Sequence, residues 1–327
     1  MSLVVRNLKK SYGDKVVVDN LSFYSSAASD VYKRQLLGTN GAGKTTSIRM
    51  MLNMLSRDGG EVLWNGQPLT TEICNVGYLA EERGLYPKYS LMDQLIYFAG
   101  LRGVSKSEAK ERIRYWAKKL EAEEYLYPNE EPAANLAEKK KARPARKKKV
   151  KAKLADQLSK GNQQKIQFMI ALISDPELII LDEPLSGLDP VNTDLFKGII
   201  REQIAAGKYL IMSSHQMATV EEFCTDITIM NRSKTVLQGN LNDIKKSYGR
   251  VNLHLKTEQE ARSIIENSGA LILTEKEREY QIKVTGEEQA NSLLSGLIQN
   301  HITVVTFDLR EPSLHEIFVE KVGEEHE

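Results

Sequence analysis

One short segment constrains the fold of this chain more than any other. Residues 38–46 match the pattern G-x-x-x-x-G-K-[ST], in which glycines let backbone N–H groups close around phosphate oxygens. The pattern predicts that Lys44 reaches the β- and γ-phosphates of a nucleoside triphosphate and that the Thr45 hydroxyl binds Mg²⁺. A plain glycine-rich turn is the alternative interpretation. The nine predicted phosphate-loop residues are Gly38, Thr39, Asn40, Gly41, Ala42, Gly43, Lys44, Thr45 and Thr46.

A second group of residues completes the prediction of a nucleotide site. Residues 178–181 read Leu-Ile-Ile-Leu, a continuous apolar run typical of a fully buried parallel strand. Asp182 and Glu183 follow directly. We expect Asp182 to bind Mg²⁺ beside the phosphates and Glu183 to orient or deprotonate the attacking water, a role worth roughly 10²–10⁴-fold in rate. A strand that ends in two solvated acids is the competing interpretation.

The remaining patterns predict an α/β fold followed by a smaller domain. A length of 327 residues suggests about two domains, and strand-like and helix-like segments alternate along the first part of the chain. Beyond about residue 247 the patterns follow the β-α-β-β-α-β order of ferredoxin-like α+β domains. We therefore predict a nucleotide-binding domain over residues 1–246 and an accessory domain over residues 247–327.

Charge and composition limit which kinds of partner and which cellular compartment fit this sequence. The net charge is +1, but residues 138–153 hold ten of the 45 basic residues and one of the 44 acidic residues, so the remainder is acidic. This distribution argues against nucleic acid as a partner. Two cysteines fit a reducing compartment. Without a signal-peptide pattern or a membrane-spanning apolar stretch, the sequence predicts a soluble cytoplasmic protein.

Three further segments match one family. Residues 158–164, Leu-Ser-Lys-Gly-Asn-Gln-Gln, resemble the signature sequence of ABC-type ATPases. Residues 186–189 follow the carboxylate strand as that family's dimer-contact loop does, and His215 ends the next apolar strand, where the family places its switch histidine. Order and spacing agree over roughly residues 3–246. Residues 78–87 and the accessory domain resemble the exporter branch that contains sodium- and drug-efflux ATPases.

The resemblance implies a fold and several residue roles. The fold is that of a P-loop NTPase of the ABC type, with a mixed core sheet and a helical subdomain over about residues 82–170. Tyr12 would stack on adenine, with ordinary packing as the alternative. Glu81 stands where many relatives have a glutamine that contacts Mg²⁺ and senses the membrane partner. His215 would contact the γ-phosphate.

The signature also implies that such a chain works in pairs. In relatives, the positions of Ser159, Gly161 and Gln163 belong to the signature that binds the γ-phosphate held by the other subunit, and Asp189 belongs to the dimer-contact loop. One chain has one loop and one signature, so a closed site needs a homodimer or a close paralogue, arranged head to tail.

The activity implied is hydrolysis of ATP, with Mg²⁺ as cofactor. Such a subunit would drive the integral-membrane permease of an exporter from the inner face of the cell membrane. Two alternatives remain open. One is a non-transport ABC-type ATPase that acts on ribosomes or DNA through the lysine run. The other is a regulatory nucleotide-binding module with little turnover.

Two segments depart from the family pattern. In residues 24–37, Lys33 and Arg34 occupy a central strand that relatives bury on both faces. Residues 30–35 resemble a translated sequencing-library adaptor, and the alternative is a tolerated strand in which Val31, Leu36 and Leu37 face the core. The basic insert, about residues 128–153, is interpreted as a solvated, mobile charge run, with attraction to anionic lipid or RNA as the alternative.

Overall fold

The computed structural model describes residues 2–26, 33–82, 84–129 and 153–323. The chain divides into two units. The first comprises Met1–His215 with Met230–Thr235, and the second comprises Gln216–Ile229 with Val236–Glu327. The predicted division at residue 246 stays a prediction.

A parallel sheet carries the predicted site at the ends of its strands. Four strands of the first unit lie side by side in the order β3 (Lys33–Gly38), β8 (Tyr209–Ser214), β7 (Leu178–Asp182) and β6 (Val76–Leu79). Strands β7 and β8 are buried along their whole length, as expected for parallel strands covered on both faces. Helix α1 (Lys44–Met51) begins within the phosphate loop after β3.

A second sheet of the first unit is antiparallel, with strand order β2-β1-β4-β5. Its inward side chains join the apolar core that also contains Ile180 and Ile211 of the parallel sheet and Ile48 of α1. The bounds are β1 (Ser2–Tyr12), β2 (Lys15–Ser26), β4 (Gly59–Trp64) and β5 (Gln67–Pro68).

The remaining helices of the first unit begin mostly at side-chain caps. Ser90, Ser105, Ser159 and Asp189 each accept a hydrogen bond from a backbone N–H of the first helical turn, which satisfies one of the donors that a helix start leaves unpaired. These helices are α2 (Leu91–Leu101), α3 (Lys106–Lys119), α4 (Glu123–Leu126), α5 (Lys160–Leu172) and α6 (Pro190–Ala205).

The second unit contains the predicted ferredoxin-like arrangement. Its antiparallel sheet has the order β12-β13-β11-β14, with the two crossing helices packed on a separate apolar core that includes Leu255, Tyr280 and Leu293. The elements are β11 (Asn252–Thr257), α9 (Arg262–Asn267), β12 (Leu271–Lys276), β13 (Glu279–Lys283), α10 (Glu287–Gln299) and β14 (Val304–Arg310).

Four other elements belong to this part of the chain or cross the division between the units. They are α7 (Met217–Phe223), β9 (Asp226–Asn231), β10 (Lys234–Asn240) and α8 (Leu241–Tyr248). Helix α11 (Leu314–Gly323) follows β14. Among the described residues, no helix combines the length and the apolar character needed to cross a bilayer.

Strand β3 forms although its sequence is polar. Arg34 and Gln35 are buried, with 4% and 0% of their surface exposed, and Leu36 and Leu37 are buried as expected of a tolerated strand. The Arg34 guanidinium lies 4.8 Å from the centre of the Phe23 ring, a cation–π contact that partly compensates burial of the charge. Val31 and residues 130–152 of the basic insert lie outside the described residues.

Candidate nucleotide-binding site

The phosphate loop lies where only glycine fits at two positions. A Cβ at Gly38 would lie 2.5 Å from the carbonyl oxygen of Met230, and a Cβ at Gly43 would lie 2.5 Å from that of Val17. Gly43 also has a φ of 103°, which L side chains rarely adopt. The loop therefore packs closely against neighbouring strands, and the lack of side chains at these glycines lets its backbone approach a ligand.

Lys44 is held inside this loop. Its ammonium group donates hydrogen bonds to the carbonyl oxygens of Gly38 (2.8 Å) and Thr39 (3.3 Å), and only 7% of the residue is exposed. Its Nζ also lies 4.0 Å from Glu183 Oε1. The loop and the carboxylate strand, which are 139 positions apart at these two residues, are thus brought together as predicted.

Ser213 organises the two carboxylates at the end of β7. Its hydroxyl donates to Asp182 Oδ1, and it accepts the backbone N–H of Glu183 at 3.0 Å. Asp182 and Ser213 are register partners on β7 and β8, so their side chains lie on the same face of the sheet. No local sequence pattern indicates this role of Ser213, because the role depends on strand pairing.

One carboxylate oxygen of Asp182 is available to bind a cation. Its Oδ2 is buried and has no hydrogen-bond partner among the residues that the structure describes. Tyr78 pairs with Ile180 on the same face of the sheet, two residues before Asp182. Burial raises the pKa of the Tyr78 phenol to about 12, and the Asp182 charge contributes in the same direction. An unpaired, buried carboxylate oxygen fits Mg²⁺ or its coordinated water.

Glu183 forms the centre of a small polar cluster. Its second oxygen, Oε2, lies 2.9 Å from Nδ1 of His215. Only 6% of Glu183 is exposed, whereas 52% of the His215 side chain is exposed. The Glu183 carboxylate is therefore held between a half-exposed histidine at one oxygen and Lys44 at the other.

Part of the predicted site lines a cavity of about 160 Å³. Glu81 and Glu183 line it together with most of the phosphate loop, and Val17 closes one side. Tyr12 lies outside this lining and is half exposed, with Lys10 Nζ 5.3 Å from the centre of its ring. The lining residues are Val17, Asn40, Gly41, Ala42, Gly43, Lys44, Thr45, Thr46, Glu81 and Glu183.

The signature residues lie outside this cavity, at the start of α5. Ser159 caps the helix by accepting the N–H of Asn162 at 3.3 Å. A Cβ at Gly161 would meet Leu188 at an ordinary contact distance of 3.5 Å. Gln163 donates to the carbonyl oxygens of Ala155 and Leu158, so its amide anchors the chain that enters the helix.

Asp189 caps the start of α6, as Ser159 caps the start of α5. It accepts the N–H of Asn192 at 3.0 Å, and this hydrogen bond is the main reason that the pKa of the Asp189 carboxyl lies below its usual value. The roles assigned to Asp189 and to the other site residues stay predictions.

These features define a class of protein: an ATPase with a P-loop after one parallel strand and two carboxylates after a neighbouring strand. A family model described as "ABC transporter" matches residues 19–186. A second model, "ATP-binding protein DrrA1-3-like, C-terminal domain", matches residues 239–322. The chain therefore belongs to the ATP-binding proteins of ABC transporters, and it is an ATP-binding and ATP-hydrolysing subunit. The predictions of family, fold class and enzyme activity are confirmed.

Individual relatives agree with this assignment. The chain is 38% identical to the uncharacterised ABC transporter ATP-binding protein YhaQ of Bacillus subtilis, covering 99% of this chain and 100% of the relative. It is 30% identical to the Nod factor export ATP-binding protein I of Cupriavidus metallidurans, covering 74% and 72%. A solved ATP-binding subunit of an ABC transporter matches with a TM-score of 0.61 and 25% identity, covering 76% of this chain and 93% of that one.

Proposed function

We propose that this chain powers export by an integral-membrane permease, at an ATP site that a second copy or a close paralogue completes. The observation that carries the proposal is the meeting of Lys44, Glu183 and His215 in one cluster. The export direction is supported by the relative that is named as a Nod factor export protein. The permease would hold the subunit at the inner face of the cell membrane.

The phosphate loop and Lys44 bind and orient the triphosphate. The Lys44 ammonium now contacts two loop carbonyls, and phosphate oxygens offer it stronger, charge-assisted hydrogen bonds. The backbone N–H groups at the start of α1 point toward the same anion, where the helix dipole favours negative charge. Tyr12 lies outside the lining of the phosphate cavity, and its half-exposed ring would accept the adenine face.

The residues present also fit Mg²⁺. Thr45, Asp182 and Glu81 would hold the ion, directly or through water, and the unpaired Oδ2 of Asp182 is the observation that supports this set. When bound, Mg²⁺ neutralises charge on the β- and γ-phosphates. Glu81 replaces a neutral glutamine of many relatives, so this site carries one more negative charge to attract a cation.

Glu183 acts as the base for the attacking water. One of its oxygens faces Lys44 and the other faces His215, so the carboxylate is fixed between a cation and a proton carrier. His215, which is half exposed, can pass the proton on to solvent or contact the γ-phosphate.

The signature residues explain why two chains are needed. Ser159 and Asp189 lie at exposed helix starts outside the phosphate cavity, so one chain cannot cover its own γ-phosphate with them. A second chain would bring its Ser159 and Gly161 to that phosphate. Bound ATP then joins the pair, and hydrolysis releases it, which converts nucleotide state into movement of the permease.

The test compares the native chain with Glu183→Gln and with the control Glu202→Gln, which changes an exposed glutamate paired with Lys119. ATP hydrolysis and molar mass by light scattering are measured with and without Mg·ATP. We expect Glu183→Gln to lose at least about 100-fold in hydrolysis and to form a stable dimer in Mg·ATP, while the control matches the native chain. An unchanged rate in Glu183→Gln excludes Glu183 as the base, and a monomer at saturating Mg·ATP excludes a site completed by a second copy of this chain.

A further inference from the structure

Glu183 has an unusual backbone conformation. Its φ is +49°, in the left-handed region that residues other than glycine rarely adopt. The next residue is Pro184, which biases the residue before it toward an extended conformation. Two local preferences therefore oppose the conformation that points this carboxylate at Lys44. Such a conformation persists only where surrounding contacts hold it.

Hydrogen bonds hold the backbone on both sides of this residue, and the Glu183 carbonyl oxygen itself accepts the N–H of Ser186 at 3.1 Å. On the N-terminal side, the Glu183 N–H donates to Ser213 Oγ at 3.0 Å. On the C-terminal side, the side-chain amide of Gln164 donates to the Pro184 carbonyl oxygen at 2.6 Å, a distance slightly shorter than the usual range for an N–H···O bond. The second bond comes from α5, the helix that carries the signature segment.

Helix α5 also contacts the chain just beyond Glu183. A Cβ built at Gly161 would lie 3.5 Å from Leu188 and 3.7 Å from Asn192, so the helix start lies directly against the segment that joins Pro184 to α6. Gln163 fixes the same helix start to Ala155 and Leu158. A displacement of α5 would therefore pull on Pro184 through Gln164.

We propose that Gln164 is a positioning residue for Glu183: by holding the Pro184 carbonyl it keeps the strained backbone in place and couples α5 to the carboxylate. The inference rests on the proposed function, in which Glu183 is the base and the start of α5 meets the nucleotide of the partner chain. In a pair, occupation of one ATP site then sets the position of Glu183 in the other site. Gln164 is not among the residues that line the phosphate cavity.

Two substitutions separate positioning from packing. Gln164→Met keeps the side-chain length but removes the donor. Gln164→Glu keeps the shape and can donate to the Pro184 carbonyl only while its carboxyl is protonated. Gln167→Met is the matched control on the same helix, since the Gln167 amide makes only a long contact of 3.5 Å to the Glu82 carbonyl.

We expect kcat of Gln164→Met to fall about tenfold, because a small misplacement of a catalytic group is costly, while ATP affinity and Mg·ATP-dependent dimerisation stay within twofold of the native chain. The kcat of Gln164→Glu relative to the native chain should fall as the pH rises from 5 to 8. Gln167→Met should retain native kcat at every pH.

Two results would overturn the inference about Gln164 and leave the proposed function intact. One is a kcat of Gln164→Met within twofold of the native value in a chain that Glu183→Gln inactivates. The other is a ratio of Gln164→Glu to native kcat that does not change with pH, which would mark Gln164 as a packing residue. A native chain that binds Mg·ATP but never hydrolyses it overturns the proposed function as well.

Discussion

Two regions of the chain belong to the proposed ATP site: a phosphate half, formed by the phosphate loop with Glu183, and a signature half, formed by the starts of α5 and α6. The groups of the phosphate half are already assembled within one chain, and those of the signature half are not. In the phosphate half, Lys44 and Glu183 are buried and lie 4.0 Å apart. In the signature half, Ser159 and Asp189 lie at exposed helix starts, where each caps its own helix. Under the proposed function, one chain holds the groups for phosphate binding and base chemistry together, whereas the groups that would close the site are exposed. We therefore expect a single chain to bind nucleotide and a pair of chains to hydrolyse it.

Removing the central cation of the phosphate half should have the largest effect. Lys44→Ala deletes a buried ammonium aimed at the phosphates, and we expect ATP affinity to fall by about 100-fold, or about 2.7 kcal/mol. Isothermal titration at a protein concentration that keeps the chain monomeric measures this. Lys119→Ala, which breaks an exposed ion pair with Glu202, is the control and should bind as the native chain does. Equal affinity in the two variants would contradict the division between the halves.

The signature half can be tested with a pair of matched caps. Ser159 and Ser105 both accept an N–H at 3.3 Å from the third residue after the cap. Ser159→Ala and Ser105→Ala should therefore each cost about 1 kcal/mol of unfolding free energy. Only Ser159→Ala should also lower ATP hydrolysis, by about tenfold, with ATP affinity of the monomer unchanged. If both variants keep native turnover, Ser159 is a helix cap and nothing more.

The smallest effect concerns Asp189 and pH. Its hydrogen bond from Asn192 holds the pKa of the folded carboxyl below the unfolded value near 3.8, so the ionised cap stabilises the fold at pH 7. This contribution is lost as the pH falls below about 4 and through the lowered pKa. Asp189→Asn keeps a capping oxygen without the charge. Urea unfolding should show a larger stability difference between native and variant chains at pH 7 than at pH 3, and the same difference at both pH values would contradict this account.

Local patterns predicted most of the architecture. The buried strand predicted over residues 178–181 forms as β7, one residue longer than predicted. The phosphate loop and the carboxylates also follow from local sequence, because their chemistry requires glycine backbone and fixed residue types. The order of the C-terminal elements sufficed for the ferredoxin-like arrangement.

What the sequence could not predict depends on pairing between distant segments. Strand β3 looks unsuitable for a core, yet its register with β8, with Leu36 opposite Ser213, buries Arg34 and Gln35. The hydrogen bonds of Ser213 with the Asp182 carboxylate and the Glu183 backbone N–H, and of Gln164 with Pro184, likewise join residues at least 20 positions apart. Such contacts exist only once the sheet is assembled, so no local window of sequence contains them.

The size of the phosphate cavity has a consequence for which nucleotides the chain accepts. A volume of about 160 Å³ is below the roughly 300–1,000 Å³ of pockets that enclose a whole small-molecule ligand. The described lining therefore accounts for the triphosphate tail, and in the proposed function Tyr12 alone is assigned to the base, where its ring would stack on any purine. We therefore expect guanosine and inosine triphosphates to compete with ATP for the single chain.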